Sequence, residues 1–208
     1  MTSTNEAGRS GLILILSGPS GSGKSSIYKT AIGDLGTIEF SVSCTTRAPR
    51  PGEVDGRDYH FISREEFDRL VAEDAFAEHA EVHGNCYGTL KSELLGRVQR
   101  GIDVLLDIDV QGAAQLRKLC ESSCEFRRAC VFIFIMPPSF EELERRLRGR
   151  ATETEESIVR RLANAKGEME HASEYDHVIV NDDLARAAAE FTALVRGLRD
   201  DPARQPQP

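Results

Sequence analysis

The stretch Gly18-Pro19-Ser20-Gly21-Ser22-Gly23-Lys24-Ser25 constrains this chain more than any other feature. An apolar run, residues 12–16, leads straight into it, and a helical pattern over 24–32 leads out. A run that short and rich in isoleucine and leucine reads as a buried strand. Glycines let the backbone curl so that successive N–H groups converge on one point. The first turn of the following helix aims its positive dipole end at the same place. What binds there is an anion, and G-x-x-x-x-G-K-S is the spacing that cradles nucleotide phosphates. Lys24 reaches the β/γ-phosphates and the Ser25 hydroxyl ligates Mg2+. The expected ATP-binding set opens with Gly18, Pro19, Ser20, Gly21, Ser22, Gly23, Lys24, Ser25 and Ser26. The loop specifies a nucleotide phosphate and leaves the reaction open, since switches, motors and small-molecule kinases share it.

The rest of the chain repeats the strand-then-helix rhythm. Apolar runs at 104–108, 131–136 and 177–180 read as strands. Helical patterns follow each, at 110–119, 140–148 and 184–198. Continuous rather than alternating apolar strands indicate an α/β fold, a parallel sheet covered by helices on both faces. Two stretches break the rhythm. Residues 43–90 are rich in glycine, proline, charge and aromatics, with one helix start at Ser63, where Glu66 completes a capping box. Residues 148–157 are polar with no apolar face. The expected layout is a flexible leader at 1–10 and a single domain at 11–198. That domain divides into a core (11–42, 91–137 and 158–198), a small mixed α/β subdomain at 43–90 and a lid at about 138–157. Residues 199–208, with three prolines after 200 and no apolar run, read as a disordered tail.

Composition narrows the partners. The chain of 208 residues carries a formal charge of −8 and a pI of about 5.2. An acidic surface argues against a nucleic-acid polymer, whose binding rests on Lys and Arg neutralising phosphates. No apolar run is long enough for a signal core or a membrane span. Five cysteines, odd in number and scattered, read as free thiols of the cytoplasm. A monomer or homodimer is expected.

A second anion site follows the loop. Ser43-Cys44-Thr45-Thr46-Arg47-Ala48-Pro49-Arg50-Pro51-Gly52-Glu53 places two arginines among hydroxyls in a stretch stiffened by prolines. Arginine suits phosphate because its planar fork grips two oxygens. On composition alone, the competing and less favoured reading of this stretch is a solvated basic loop. Two anion sites in one small domain suggest two phosphorylated substrates, as a phosphoryl transferase between nucleotides requires.

The segment S-x-T-T-R-x-P-R-x-G-E-x-x-G-x-x-Y, ending at Tyr59, resembles the signature of the guanylate kinase family of nucleoside monophosphate kinases. Glu78, Gly84-Asn85-Cys86-Tyr87-Gly88-Thr89, Leu106-Asp107-Ile108-Asp109-Val110-Gln111-Gly112, Gly149-Arg150-Ala151-Thr152-Glu153-Thr154 and Val180-Asn181-Asp182-Asp183 follow in family order. The resemblance spans about 11–198. It implies ATP and GMP as substrates and Mg2+ as the accompanying ion.

By resemblance, Ser43, Arg47, Arg50, Tyr59 and Tyr87 hold the GMP phosphate. Glu78 takes guanine N1–H and N2–H2, Asp109 assists at the amino group, and Thr89 donates to O6. Glu78 alone, between Ala77 and His79, reads as a solvated helix residue. Asp107 and Asp109 close an apolar strand and, two apart, are expected on one face. The resemblance makes Asp107 a partner of Mg2+ through its waters, and Arg146, Arg150 and Arg161 the basic residues of the lid. Asn181 faces the adenine. Lys24, Arg47, Arg150 and Arg161 form the expected catalytic set, stabilising charge spread over the transferring phosphoryl group.

The chain departs from the family at Cys86, where tyrosine is frequent, and at Ala151, where glycine is. The first removes a ring beside the GMP pocket; the second restricts a lid hinge. Three rivals remain: a relative acting on another monophosphate, a non-catalytic protein-binding domain of the same fold, and a regulatory GTPase. Glu78 with Thr89 opposes the first, the intact phosphate loop the second, and the lack of an N-K-x-D element the third.

Overall fold

The computed structural model describes residues 9–36, 38–149 and 154–204. Its centre is β1 (Ile13–Ser17), in which all five residues are buried. Parallel neighbours flank it on both sides: β7 (Asp103–Asp107) and β8 (Cys130–Met136). β2 (Ile38–Phe40) adds beyond β7 and β9 (His177–Val180) beyond β8. Among the described residues the order is β2-β7-β1-β8-β9, all parallel.

Strand side chains alternate between faces, so a strand buried on both needs two helical layers. Ile13, Ile15, Val104, Leu106, Phe132 and Phe134 share one core with α3 (Lys91–Val98), α4 (Val110–Ser122) and α5 (Cys124–Ala129). Leu12, Leu14, Leu16, Leu105, Ile133 and Ile135 share the other with α1 (Lys24–Leu35) and α8 (Leu184–Arg199). The α/β layering expected from the sequence is what the chain adopts.

Residues 43–90 build a second sheet. Its strands are β3 (Cys44–Thr45), β4 (His60–Phe61), β5 (Phe76–Val82) and β6 (Asn85–Leu90), in the order β4-β3-β6-β5. One face holds a small core of Cys44, Phe67, Phe76 and Cys86, closed by α2 (Arg64–Ala72). Ser63 caps α2 by accepting from the Glu66 N–H, as expected. The Glu66 carboxylate, however, pairs with Arg69 at 2.7 and 2.9 Å, so the return half of the capping box is replaced by an ion pair one turn on. Two charged groups on the exposed face outcompete a neutral backbone N–H for that carboxylate. The charged helix after β8, α6 (Phe140–Arg148), packs on α7 (Glu155–Glu170) through Leu143, Leu147, Ile158 and Ala165.

Both ends of the expected domain need correction. Arg9, placed in the leader, donates to the Asp103 carboxylate at 2.7 Å and to the Gly101 carbonyl at 2.9 Å. Arg199 donates to the other oxygen of Asp103 at 2.7 Å. Of the tail, Pro202–Arg204 forms a 3-10 turn whose Arg204 donates to the carbonyls of Arg128 and Cys130. Arginine side chains, not apolar burial, anchor these segments, and a hydropathy reading passes over such anchors.

Asp103 is fully buried between Arg9 and Arg199 and also accepts from the Leu12 N–H. Removing one member of such a group strands buried charge. Asp103→Ala is therefore expected to destabilise the fold by about 3–5 kcal/mol, read as a lower midpoint in chemical denaturation. A midpoint within error of the parent overturns the assignment of this group as a structural anchor.

Candidate active site

The phosphate loop leaves β1 at Ser17, whose hydroxyl donates to the Ile108 carbonyl at 2.8 Å. Two positions have no space for a side chain. A Cβ on Gly18 would stand 2.3 Å from the Ile135 carbonyl oxygen, and one on Gly23 would stand 2.1 Å from Asn181 Nδ2. Gly23 is also left-handed, at φ 95°, where it caps α1. Ser25 and Ser26 are exposed on the first turn of α1.

Asn181 is buried, and its side-chain amide donates to the Ser22 carbonyl at 2.7 Å. The family resemblance implies that it faces adenine; in the structure its side chain also braces the loop from beneath. Arg146 donates to the Asn181 carbonyl at 2.8 Å while pairing with Glu142, which ties α6 to the turn after β9. Arg161 on α7 donates to Ser20 Oγ at 3.0 Å and so reaches the rim of the loop. Arg150 and Ala151 lie outside the described residues.

Parallel register sets Leu16 beside Asp107, so the last carboxylate of β7 stands at the root of the loop. Lys24 Nζ folds back onto the Gly18 carbonyl at 2.7 Å and lies 3.7 Å from Asp107. Asp107 keeps about a third of its side chain exposed (35%) yet sits low in the cleft. Burial raises its carboxyl above the usual range, and the Lys24 charge opposes the shift.

Asp109 does not continue the strand. β7 ends at Asp107, and the Asp109 carboxylate accepts from the N–H groups of Gln111 and Gly112 as the N-cap of α4. The common face expected for the two aspartates is thus replaced by a capped helix start.

Glu78 overturns its own local reading. It is on β5, 8% exposed, not on a helix. The β5–β6 register slips between Phe76 and Glu78, which are paired with Leu90 and Thr89. This bulge leaves three successive residues buried and sets Glu78 directly across from Thr89. Thr89 donates to Glu78 at 2.6 Å, and Ser43 Oγ lies 3.1 Å from Thr89 Oγ1. Since the Thr89 proton is committed to the carboxylate, Ser43 is the donor in that second bond. Ser43, which the family resemblance implies at the phosphate, is thus hydrogen-bonded to the Glu78–Thr89 pair. A Cβ on Gly112 would lie 3.3 Å from Glu78 Oε2, so the first turn of α4 packs on the carboxylate. Burial raises the Glu78 carboxyl, Thr89 counters, and the Asp109 charge adds to the rise.

Arg47 lies against the rings of Tyr59 and Phe61, 5.4 and 5.9 Å from their centroids, and Tyr59 contacts Tyr87 edge-on. Glu53 grips Arg47 through two bonds of 2.8 and 3.0 Å. The Arg50 side chain is exposed at the loop tip. Between this sheet and the strand ends opens a cavity of about 160 Å3, lined by Ser43, Tyr59, Thr89 and Asp107 among others.

Three contacts lay beyond the sequence reading. The Gln115 amide pairs with both the N–H and the carbonyl of His79, linking α4 to β5 beside Glu78. Glu168, seven residues after Arg161 and so on the same helix face, has its carboxyl raised by burial, while the charge of Lys24 lowers it. Glu53 was visible inside the motif, but nothing in its spacing marked Arg47 as its partner. Cys86 turns into the small core rather than towards the cleft, so its departure from tyrosine removes no ring from the cavity wall. Burial pushes the Cys44 thiol up to about 11, leaving it a poor nucleophile.

The family model described as guanylate kinase matches residues 10–197. The guanylate kinase of Syntrophotalea carbinolica is 52% identical over 187 residues, covering 90% of this chain and 86% of that relative. That of Nitratidesulfovibrio vulgaris is 52% identical over 185 residues, covering 89% and 86%. The crystal structure of guanylate kinase from Anaplasma phagocytophilum superposes with a TM-score of 0.69 at 39% identity, over 95% of this chain and 91% of that one. Parallel core, phosphate loop, second sheet and matched length agree: this chain belongs to the guanylate kinase family.

Proposed function

We propose that this chain is an ATP:GMP phosphotransferase, moving the γ-phosphoryl group of Mg·ATP to GMP, with dGMP as a second acceptor, and releasing ADP and GDP. The observation that carries this reading is a cavity in which Thr89, bonded to the buried Glu78 carboxylate, and Tyr59 of the second sheet stand across from Asp107, the neighbour of Lys24 at the root of the phosphate loop. In this reading the phosphate loop with Lys24 and Arg161 takes ATP, and Arg47, Arg50, Tyr59 and Tyr87 take the GMP phosphate. The residues assigned to the acceptor address base and phosphate and none addresses the ribose, hence the inclusion of dGMP.

Lys24 leaves the Gly18 carbonyl and turns to the β/γ-phosphates, and the loop N–H groups hold the chain of phosphates in line. The GMP phosphate is already an anionic nucleophile, so no general base is needed. Lys24, Arg47, Arg161 and, by family resemblance, Arg150 stabilise the charge on the transferring group. Arg146 acts from behind, holding the turn that carries Asn181. The Ser25 hydroxyl and the half-buried Asp107 carboxylate are hard oxygen donors, which fit Mg2+, Asp107 through water. Held there, such an ion would supply positive charge to offset that of the ATP phosphates.

Glu78 accepts two adjacent N–H donors of guanine, and Asp109 stands beside the amino group. Adenine would present a lone pair to the carboxylate, an uncompensated contact of about 1–3 kcal/mol or more. The unpaired cysteines fit a reducing compartment, and we place the activity in the cytoplasm. Among the described residues no helix is long and apolar enough to cross a membrane.

Three outcomes are expected. ADP release from Mg·ATP should occur with GMP and dGMP and fall by at least roughly tenfold to a hundredfold with AMP; equal rates with AMP would remove Glu78 as the base reader. Lys24→Ala should lower turnover by at least about a hundredfold with an unchanged thermal melt, and near-normal turnover would overturn the mechanism. Guanosine binding should weaken as pH falls, because only ionised Glu78 accepts both donors. Burial raises its pKa, so the loss begins at a higher pH than for an ordinary carboxylate near ~4.3. Guanosine serves because the GMP phosphate itself titrates near pH ~6. A competition titration should show this acid loss in the parent and a flat profile in Glu78→Gln. A flat profile in the parent would contradict the assignment.

A further inference from the structure

Glu53 is the last residue of the arginine-bearing motif, and the mechanism above gives it no part. Its carboxylate sits at the centre of that loop. Oε1 accepts from Arg47 Nη2 at 2.8 Å, and Oε2 accepts from Arg47 Nη1 at 3.0 Å and from the Arg50 N–H at 2.7 Å. The Glu53 N–H in turn donates to the Arg50 carbonyl at 3.0 Å. Both side chains are mostly covered, Arg47 at 14% exposure and Glu53 at 19%. One carboxylate thus fixes the side chain of the first arginine and the backbone of the second.

Counting protons shows what this leaves. A guanidinium has five N–H groups. Arg47 Nη1 gives one to Glu53 and one to the Ala48 carbonyl at 2.8 Å, and Nη2 gives one to Glu53. By guanidinium geometry, Nε–H and the remaining Nη2–H point away from Glu53 along one edge, and the Tyr87 hydroxyl, itself assigned to the same phosphate, is the further group that interacts with this side chain. These two N–H groups form a second fork, of the shape that grips two phosphate oxygens. Tyr59 and Phe61 cover the guanidinium and set its plane; Glu53 sets its rotation within that plane.

We propose that Glu53 is a positioning residue for the acceptor phosphate: it holds the end of the Arg47 guanidinium so that the side fork faces the GMP phosphate. This rests on reading the Arg47 wall as the GMP-phosphate site. A guanidinium held in place before the ligand arrives loses less freedom on binding, so the effect appears as affinity for the phosphate and not for the base.

The test compares GMP and guanosine binding by calorimetry in the parent, Glu53→Gln, Arg47→Ala and the double variant. Glu53→Gln should weaken GMP by roughly tenfold or more and leave guanosine unchanged, which also shows that the pocket is folded. Added to Arg47→Ala, it should produce little further loss, since it acts only through that arginine. Unchanged or tighter GMP binding, the latter meaning that the carboxylate competes with phosphate for Arg47, overturns the proposal. Equal loss for guanosine overturns it too, by reducing Glu53 to a structural role. If Arg47→Ala itself spares GMP, the site reading falls and this inference with it; a spared Glu53→Gln beside a weakened Arg47→Ala removes this inference alone.

Discussion

The phosphate loop is wedged between the Ile135 backbone carbonyl beside Gly18, which cannot yield, and the Asn181 amide beside Gly23, which is held by its bond to the Ser22 carbonyl. Both come from the far side of β1: Ile135 from β8, Asn181 from the end of β9. The loop therefore keeps its curl only while the parallel sheet keeps its register, and that register depends on β1 being covered on both faces. Because Leu16 is paired with Asp107, the same register delivers the carboxylate to the loop. Anion cradle and acidic partner are two consequences of one buried strand.

The cations of the site are held in place before any ligand is considered. Lys24 rests on Gly18 and near Asp107, Arg47 on Glu53, Arg146 on Glu142, and Arg161 reaches Ser20. Crowding positive groups in a cleft is unfavourable unless each has a nearby dipole or opposite charge. These contacts lower that repulsion and fix directions, which is what electrostatic stabilisation of a transferring phosphoryl group requires. Lys24 must give up a contact to act; Arg47 need not, because Glu53 occupies only one edge of its fork.

The surroundings of Glu78 work in the opposite way. Glu78 is a carboxylate taken out of water, near a second one at Asp109, and burial makes it reluctant to ionise. Thr89 satisfies it through both its hydroxyl and its backbone, with Ser43 bonded behind that hydroxyl. A ligand offering two N–H donors relieves that tension, and one offering a lone pair worsens it. Gln115 keeps the strand bearing Glu78 fastened to the helix capped by Asp109, so the two acids move as one body.

How much of this was legible beforehand depended on whether a feature was local. The loop glycines, the apolar runs and the Ser63 cap act over a few residues, and they led directly to the sheet, the phosphate cradle and α2. Family order implied roles for Arg47, Glu78 and Asp109, which spacing alone left ambiguous. Tertiary structure decided the rest. A one-residue bulge turned Glu78 inward, a helix cap claimed Asp109, the Thr89 contact joined Ser43 to the Glu78 pair, and buried Asp103 drew Arg9 and Arg199 onto the body. Each of these depends on a partner distant in the chain or on a register that hydropathy does not encode. The sequence by itself determined that a nucleotide phosphate binds here, because a backbone curl and a helix start are local; which side chains line the cavity beside the loop was decided only when the two sheets met.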